Sequence, residues 1–399
     1  MHTNLPKIVL LFACIVLIIG AIMNTRLNQK PQHTKQTAKV EIPNTPYVRN
    51  VGRNLYLNGK PYTFTGINAY YIATQWGVNA GCGGMLTNAE MDTFFSLLRP
   101  KSVVRFWAFQ SQAVNIQTRE LDFSPIDRVV EAAERHNIKL IMVIGNEWKD
   151  CDVFKKTESW YQNGYQQVDG NHLLSYWDYI HRLVPRYAYS TTLAMWELIN
   201  EPETPNDADT SCSPTSSKTL RTFFDIVGGE VHWLDPNHLV SSGVIGNGQC
   251  GAQQKAYEYI HKSPGIDVAS YHDYGYPDKP LPGDTWNGFL VRINQMKTIN
   301  KPLYVGESGM LAQDNLIGCM NFSDRVIKIK AKMDAQFTAG IVGFLPWNWS
   351  SINGGTCNYD IPPIDPLFDV LNSYPLPFYQ NPIVNTSYSY LEHNRNSTK

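Results

Sequence analysis

The feature that most limits what this chain can fold into is the regular return of short β-branched or apolar runs, with segments of helical period between them. Eight such runs occupy residues 63–71, 102–109, 139–145, 193–200, 239–245, 266–271, 302–306 and 341–347. Strand-sized runs alternating with helices are the mark of βα units. Helix signals fall between them. Thr87 and Glu90 form a capping box, and Ser124-Pro125 supplies an N-cap and N1 proline for a helix running through His136. Further helices are predicted at about 172–187, 219–233, 253–261, 286–299 and 323–338. Eight units in a row predict an α/β chain closed into a (β/α)8 TIM barrel rather than an open doubly wound sheet. Ahead of the first barrel strand, Asn58-Gly59 between alternating residues predicts a β-hairpin closing the barrel floor.

The ends read differently. Residues 8–23 are charge-free, preceded by Lys7 and followed by Arg26 and Lys30, which makes 1–23 a signal peptide or an N-terminal membrane anchor. The run lies between a signal-peptide core and the ~17–25 residues of a spanning helix. No convincing small-residue cleavage site precedes Asn24, so an uncleaved anchor is favoured. Residues 24–46 are rich in Gln, Lys, Thr, Asn and Pro and read as a flexible linker, followed by a barrel over 47–380 and a tail over 381–399. Secretion or a place in the cell envelope follows. Basic and acidic residues number 34 and 35, with no basic stripe, which removes the electrostatic case for a nucleic-acid partner. A monomer is expected.

Setting aside Cys14 in the apolar run, six cysteines remain: Cys82, Cys151, Cys212, Cys250, Cys319 and Cys357. An even number in an exported chain fits three disulfides, and none shows the C-x-x-C spacing of a metal or redox site. All six follow strands, on the face where this fold builds its active sites. Pairing by strand proximity gives 82–151, 212–250 and 319–357, one of fifteen connectivities. No glycine-rich phosphate loop follows any strand, so no nucleotide cofactor is implied, and the cysteine spacing implies no metal.

Two strand ends carry carboxylates. The fourth run closes Trp196-Glu197-Leu198-Ile199-Asn200-Glu201-Pro202 and the seventh closes Tyr304-Val305-Gly306-Glu307-Ser308. Cleavage of a glycosidic bond needs two such groups, one protonated to assist the leaving oxygen and one ionised to attack the anomeric carbon. On these residues the chain resembles the retaining glycosidases of glycoside hydrolase family 5 over about residues 47–375. The resemblance implies that Glu201 is the acid/base, that Asn200 binds the sugar 2-hydroxyl, and that Glu307 is the nucleophile. It also gives counterparts to Arg105, His272, Tyr274 and Trp347. Arg105 would hold a carboxylate ionised, Tyr274 would bond the same group, His272 would keep the site in register, and Trp347 would offer a flat platform for a sugar ring.

The third run ends Gly145-Asn146-Glu147-Trp148, where many family members carry a histidine. This string, together with Arg105-Phe-Trp-Ala and Trp196-Glu-Leu-Ile-Asn-Glu-Pro, is similar to the β-mannanases of the family, although Ser308 replaces a more usual aromatic. The expected substrate is a β-1,4-linked polysaccharide, mannan or glucomannan first. A cellulase, a transglycosylase of the cell envelope and a non-catalytic carbohydrate-binding barrel are the alternatives. Asn146, Trp107 and Trp148 join the candidate binding residues, and Trp76, Trp160 and Trp349 are further rings of which about half the set would be packing. Glu197 shares strand parity with Glu201 and is read as pointing into the barrel to pair with a base. Glu147, Glu203 and Asp273 are read as solvated loop charges, and His136 and His181 as ordinary helix residues.

Overall fold

The computed structural model describes residues 41–374. The leader 1–23, most of the linker and the tail 381–399 lie outside the described residues. Chain contacts divide the protein after Glu41, and the unit beginning at Ile42 contains the barrel. It takes in the end of the expected linker, because Asn58 N–H donates to the Thr45 carbonyl at 2.9 Å.

A small antiparallel sheet comes first: β1 (Arg49–Val51), β2 (Asn54–Leu57) and β3 (Lys60–Tyr62). Asn58 and Gly59 both have positive φ, 52° and 71°, as the tight turn joining β2 to β3 requires. This is the expected hairpin, extended by β1. Leu55, Leu57 and Tyr62 pack on Val103, Ile141, Met195, Leu239, Val268 and Val342, which start or line the barrel strands at their N-terminal ends. The hairpin therefore covers the floor.

The barrel strands are β4 (Phe64–Asn68), β5 (Val103–Trp107), β6 (Lys139–Val143), β7 (Leu193–Glu197), β8 (Leu239–Ser241), β9 (Ala269–Asp273), β10 (Leu303–Ser308) and β11 (Gly343–Pro346). They pair in parallel in the order β8-β7-β6-β5-β4-β11-β10-β9. A bridge between Ser241 and Val268 joins the two ends, leaving the barrel nearly closed. Every residue of the eight strands is buried, which is why they read in the sequence as continuous apolar runs.

Helices lie where the pattern puts them, with small differences. The Thr87–Glu90 capping box is formed reciprocally. Phe123, not Ser124, precedes the next helix (Ser124–Arg135), because Asp122 already accepts from Ser124 N–H at 3.0 Å. β8 stops four residues short of its run, where Gly243 turns at φ 71° and a Cβ would lie 1.8 Å from the Ile199 carbonyl. Among the described residues no helix is long and apolar enough to cross a membrane.

The disulfides are Cys82–Cys151, Cys212–Cys250 and Cys319–Cys357, the connectivity drawn from strand proximity. Each ties two loops at the C-terminal end of the barrel. Alkylation of the native protein without reductant should therefore label none of the six; a labelled peptide carrying any of them contradicts the pairing.

Candidate active site

The candidate side chains gather where the strands end, around Arg105 of β5. This guanidinium is completely buried, and each of its nitrogens has an anionic or carbonyl-type partner. Nε and Nη2 donate to Glu197, Nη2 also to Asn200 Oδ1 at 2.7 Å, and Nη1 to Asn68 Oδ1 at 2.9 Å and Glu307 Oε1 at 2.7 Å. Burial opposes the charge, but Glu197 and Glu307 raise its pKa further above the ordinary arginine value. Glu197 is fully buried and also accepts from Tyr304 Oη at 2.5 Å. It points into the barrel and pairs with a base, as its parity predicts, so it does not face the cleft.

Glu307 ends up beside the cleft because β10 shifts register against β9 between Val305 and Glu307. The shift brings both Tyr304 and Glu307 toward Arg105, although they differ in parity. Glu307 Oε2 accepts from Tyr274 Oη at 2.5 Å. Glu201 leaves the strand altogether: its φ is 56°, and its N–H donates to the Gly243 carbonyl at 2.9 Å. A positive φ at a non-glycine residue costs of order 1–3 kcal/mol and persists only where the surroundings impose it. Here Asn200 is fixed on one side by Arg105 and by Asn146, to whose Oδ1 it donates at 2.9 Å.

Both oxygens of Glu201 are engaged. Oε2 accepts from Trp148 Nε1 at 2.7 Å, and Oε1 lies 2.8 Å from His272 Nδ1. The same Nδ1 is 3.6 Å from Glu307 Oε1. Nδ1 faces carboxylates and Nε2 has no partner in its buried setting, so Nδ1 carries the bonding hydrogen. Gly306 leaves the space for that ring, since a Cβ there would sit 2.9 Å from Nε2.

The electrostatics follow from this crowding. Burial pushes the Glu307 carboxyl above its ordinary range, against His272, Arg105 and the Tyr274 hydroxyl. Burial also works against charge on Glu201, yet the His272 hydrogen bond and charge, with the Trp148 N–H, hold it below the ordinary value. Burial opposes a proton on His272, and the two glutamates raise it. The three groups share protons as one coupled set. Donor atoms of Glu201, His272 and Glu307 lie within 4.8 Å of one another, the one group among the described residues with the makings of a cation site. The Arg105 guanidinium and His272 already supply positive charge there, which suits proton chemistry.

Above the carboxylates opens a cleft of about 740 Å3. Trp347, Trp107 and Trp148 line it, along with Tyr70, whose ring stacks on Trp347 at 5.3 Å and 7°. Asn146, Asn200, Tyr274, Glu201 and Glu307 line it too, while Arg105 and His272 act from behind. Trp160 and Trp349 are core residues, buried among Tyr161, Tyr165 and Phe223 and beside Phe94 respectively. Trp76 is exposed and does not line the cleft.

Two expected surface charges are corrected. Glu147 is fully buried, accepts from Tyr161 Oη at 2.5 Å, and is driven well above its ordinary pKa by burial. Asp273 is buried and held by Lys332 and Gln336, each at 2.8 Å. Glu203 keeps partial exposure and pairs with Lys155 at 3.1 Å. Asn68 and Tyr304, which complete the shell around Arg105, were not legible as site residues. Asn68 is the last residue of β4, and a lone amide closing an apolar strand is the signal available for it.

Because Arg105 balances two buried carboxylates, Arg105→Leu should destabilise the fold by about 3–5 kcal/mol. Chemical denaturation of wild type and variant measures this; a loss under about 1 kcal/mol would mean the carboxylates are neutral in the native state.

A family model described as cellulase (glycosyl hydrolase family 5) matches residues 56–351. Mannan endo-1,4-beta-mannosidase 8 of Oryza sativa subsp. japonica is 26% identical over 343 residues, covering 73% of this chain and 87% of its own. Mannan endo-1,4-beta-mannosidase A of Hypocrea jecorina is 27% identical over 354 residues, covering 79% and 73%. The solved endo-1,4-beta-mannanase from Rhizomucor miehei has the same fold, with a TM-score of 0.61 at 20% identity over 82% of this chain and 97% of that one.

Proposed function

Since the chain belongs to glycosyl hydrolase family 5, we propose that it hydrolyses β-1,4-linked mannan or glucomannan with retention of configuration, through Glu201 and Glu307. The observation that carries this reading is the pair itself. Each offers an oxygen within 4.8 Å of the other, and His272 Nδ1 lies 2.8 Å from Glu201 and 3.6 Å from Glu307, a closeness that favours the ~5–5.5 Å of a retaining enzyme over the ~6.5–9.5 Å of an inverting one.

In this reading the saccharide lies on Trp347, with its anomeric carbon over Glu307. Arg105 and Tyr274 orient Glu307 and stabilise its ionised form for attack. Glu201 protonates the departing glycosidic oxygen, and the proton source is at hand: transfer from His272 Nδ1 to Glu201 Oε1 across 2.8 Å leaves a neutral imidazole, a protonated Glu201 and an ionised Glu307. Filling the cleft favours that transfer, because excluding water from Glu201 disfavours its charge. In the second half, Glu201 takes a proton from water as that water attacks the glycosyl ester, and Glu307 leaves as carboxylate. Asn200, held between Arg105 and Asn146, meets the sugar's 2-hydroxyl in this reading.

The choice of mannan is supported by the names of the curated relatives and by the Asn146-Glu147-Trp148 string; the description of the family model keeps β-1,4-glucan as the second reading. Three disulfides support an exported enzyme, secreted or held at the envelope by residues 8–23. Activity on mannan, glucomannan, cellulose and xylan, with the first-formed anomer read by NMR, tests the proposal. Release of β-anomers from the mannans supports it, whereas α-anomers refute retention and activity on cellulose alone refutes the substrate.

A further inference from the structure

Outside the catalytic group lies a second cluster of buried charges, carried by the loop that follows β6. His172 sits between two carboxylates, with Nε2 2.9 Å from Asp152 Oδ1 and Nδ1 2.7 Å from Asp169 Oδ1. Lys156 pairs with the other oxygen of Asp152 at 2.9 Å. Asp152 and Lys156 are almost wholly buried. Such charges are costly to bury and are kept where they hold something in place.

What they hold is the backbone of Asn146. Asp152 Oδ2 accepts from Asn146 N–H at 3.2 Å, and Lys156 Nζ donates to the Asn146 carbonyl. Asn146 Nδ2 donates to the Asp150 carbonyl at 2.6 Å, and the adjoining Cys151 is tied to Cys82. Residues 146–152 are thus pinned at both ends, and Trp148 lies between the pins. Its ring is capped by Lys155 at 4.4 Å, and its N–H reaches Glu201.

We propose that the Asp169–His172–Asp152–Lys156 chain is a positioning device for the acid/base: it fixes the loop that keeps Trp148 on Glu201 and Asn146 on Asn200. The proposal rests on the reading of Glu201 given above. With both ring nitrogens of His172 facing carboxylates, both donate, and the imidazole is a cation. Two anions and two cations then balance. Burial opposes that charge, but the hydrogen bonds and charges of Asp152 and Asp169 raise His172 to about 9. Lys156 holds Asp152 well below its usual value against burial. Tyr176 and Tyr179, Glu147 beside Lys156 and, across a solvent groove of about 530 Å3, Arg119 are further titratable groups around the cluster. The groove reaches His172, so protons exchange with solvent there.

The test compares leaving groups. kcat/KM is measured for a β-1,4-oligosaccharide and for an activated aryl β-glycoside, on whichever sugar the wild type accepts. His172→Gln should lose about 10–100-fold on the oligosaccharide and less than about 3-fold on the aryl glycoside, since only the former needs a well-placed acid. Asp169→Asn, at the more exposed end of the chain, should show the same asymmetry more weakly and covers the case in which His172→Gln does not fold. In a Trp148→Phe background His172→Gln should add less than it costs alone, because one of the two contacts it supports is already gone. Equal losses on both substrates, no loss, or fully additive losses with Trp148→Phe would each overturn the proposal. Glu201→Gln is the control: if it shows no leaving-group dependence, the acid assignment fails and the network's role with it. If it does and His172→Gln does not, the network alone is refuted.

The pH dependence gives a second readout. A histidine raised from 6.5 to about 9 by folding contributes stability that is complete below pH 6.5 and lost as pH rises through about 9. The melting-temperature gap between wild type and His172→Gln should shrink over that range, and a gap unchanged to pH 10 would contradict a charged His172.

Discussion

Replacing Glu307 by Gln is expected to lower turnover by at least ~10^3-fold on every substrate, activated or not, while binding of oligosaccharide persists. The amide keeps the shape of the carboxyl and can still meet Arg105 or Tyr274, so the cleft is not remodelled. What it lacks is the anion that forms the bond to the anomeric carbon, and no leaving group, however good, compensates for that. The expected signature is a kcat near background with a Kd for oligosaccharide close to that of the wild type. Retention of more than about a tenth of wild-type kcat would mean that the bond forms elsewhere.

Glu201→Gln should fail in another way, because in the proposed mechanism this residue enters the reaction twice. Acid assistance matters most when the departing group is another sugar, so kcat/KM on mannan or its oligosaccharides should fall by about 10^2–10^4-fold. An activated phenol leaves without help, and the glycosyl ester should form at close to the normal rate. Its hydrolysis then lacks a base. The expected trace is a burst of phenol, stoichiometric with enzyme, followed by a slow steady state. Glu197→Gln provides the contrast: buried behind Arg105 and bonded to Tyr304, it should lower stability and both activities together, without a leaving-group pattern. If Glu197→Gln rather than Glu201→Gln gives the burst, the two glutamates have been assigned the wrong way round.

Much of this was legible in the sequence because a barrel of this kind is written in local signals. Each strand is a short buried run, some helices open on a capping side chain such as Thr87, and the chemistry of this fold falls at the C-terminal strand ends. Glu201 and Glu307 stand at two such ends, and the paired cysteines follow strands that are neighbours in the barrel (Cys212 and Cys250, Cys319 and Cys357) or have one strand between them (Cys82 and Cys151), which was enough to pair them. What failed were judgements about burial that depend on partners far away in the chain. Glu147 looks like a loop charge until Tyr161 folds over it, and Asp273 until Lys332 and Gln336 arrive from the helix Phe322–Ala339. Trp160 and Trp349 carry the same ring as Trp107 and Trp148, and only the packing of Phe223 and Phe94 against them decides that they belong to the core. Tyr304 was hidden for a different reason: the register shift in β10 breaks the period-2 rule by which inward residues are read.

Whether Glu307 becomes covalently glycosylated while Glu201 handles the proton can be examined without reference to rates. Glu201→Gln is mixed with an activated aryl glycoside, quenched in acid during the slow phase, and its peptides are weighed by mass spectrometry. One glycosyl unit is expected on the peptide that carries Glu307. An unmodified protein, or a glycosyl unit on the peptide carrying Glu197, would contradict that assignment.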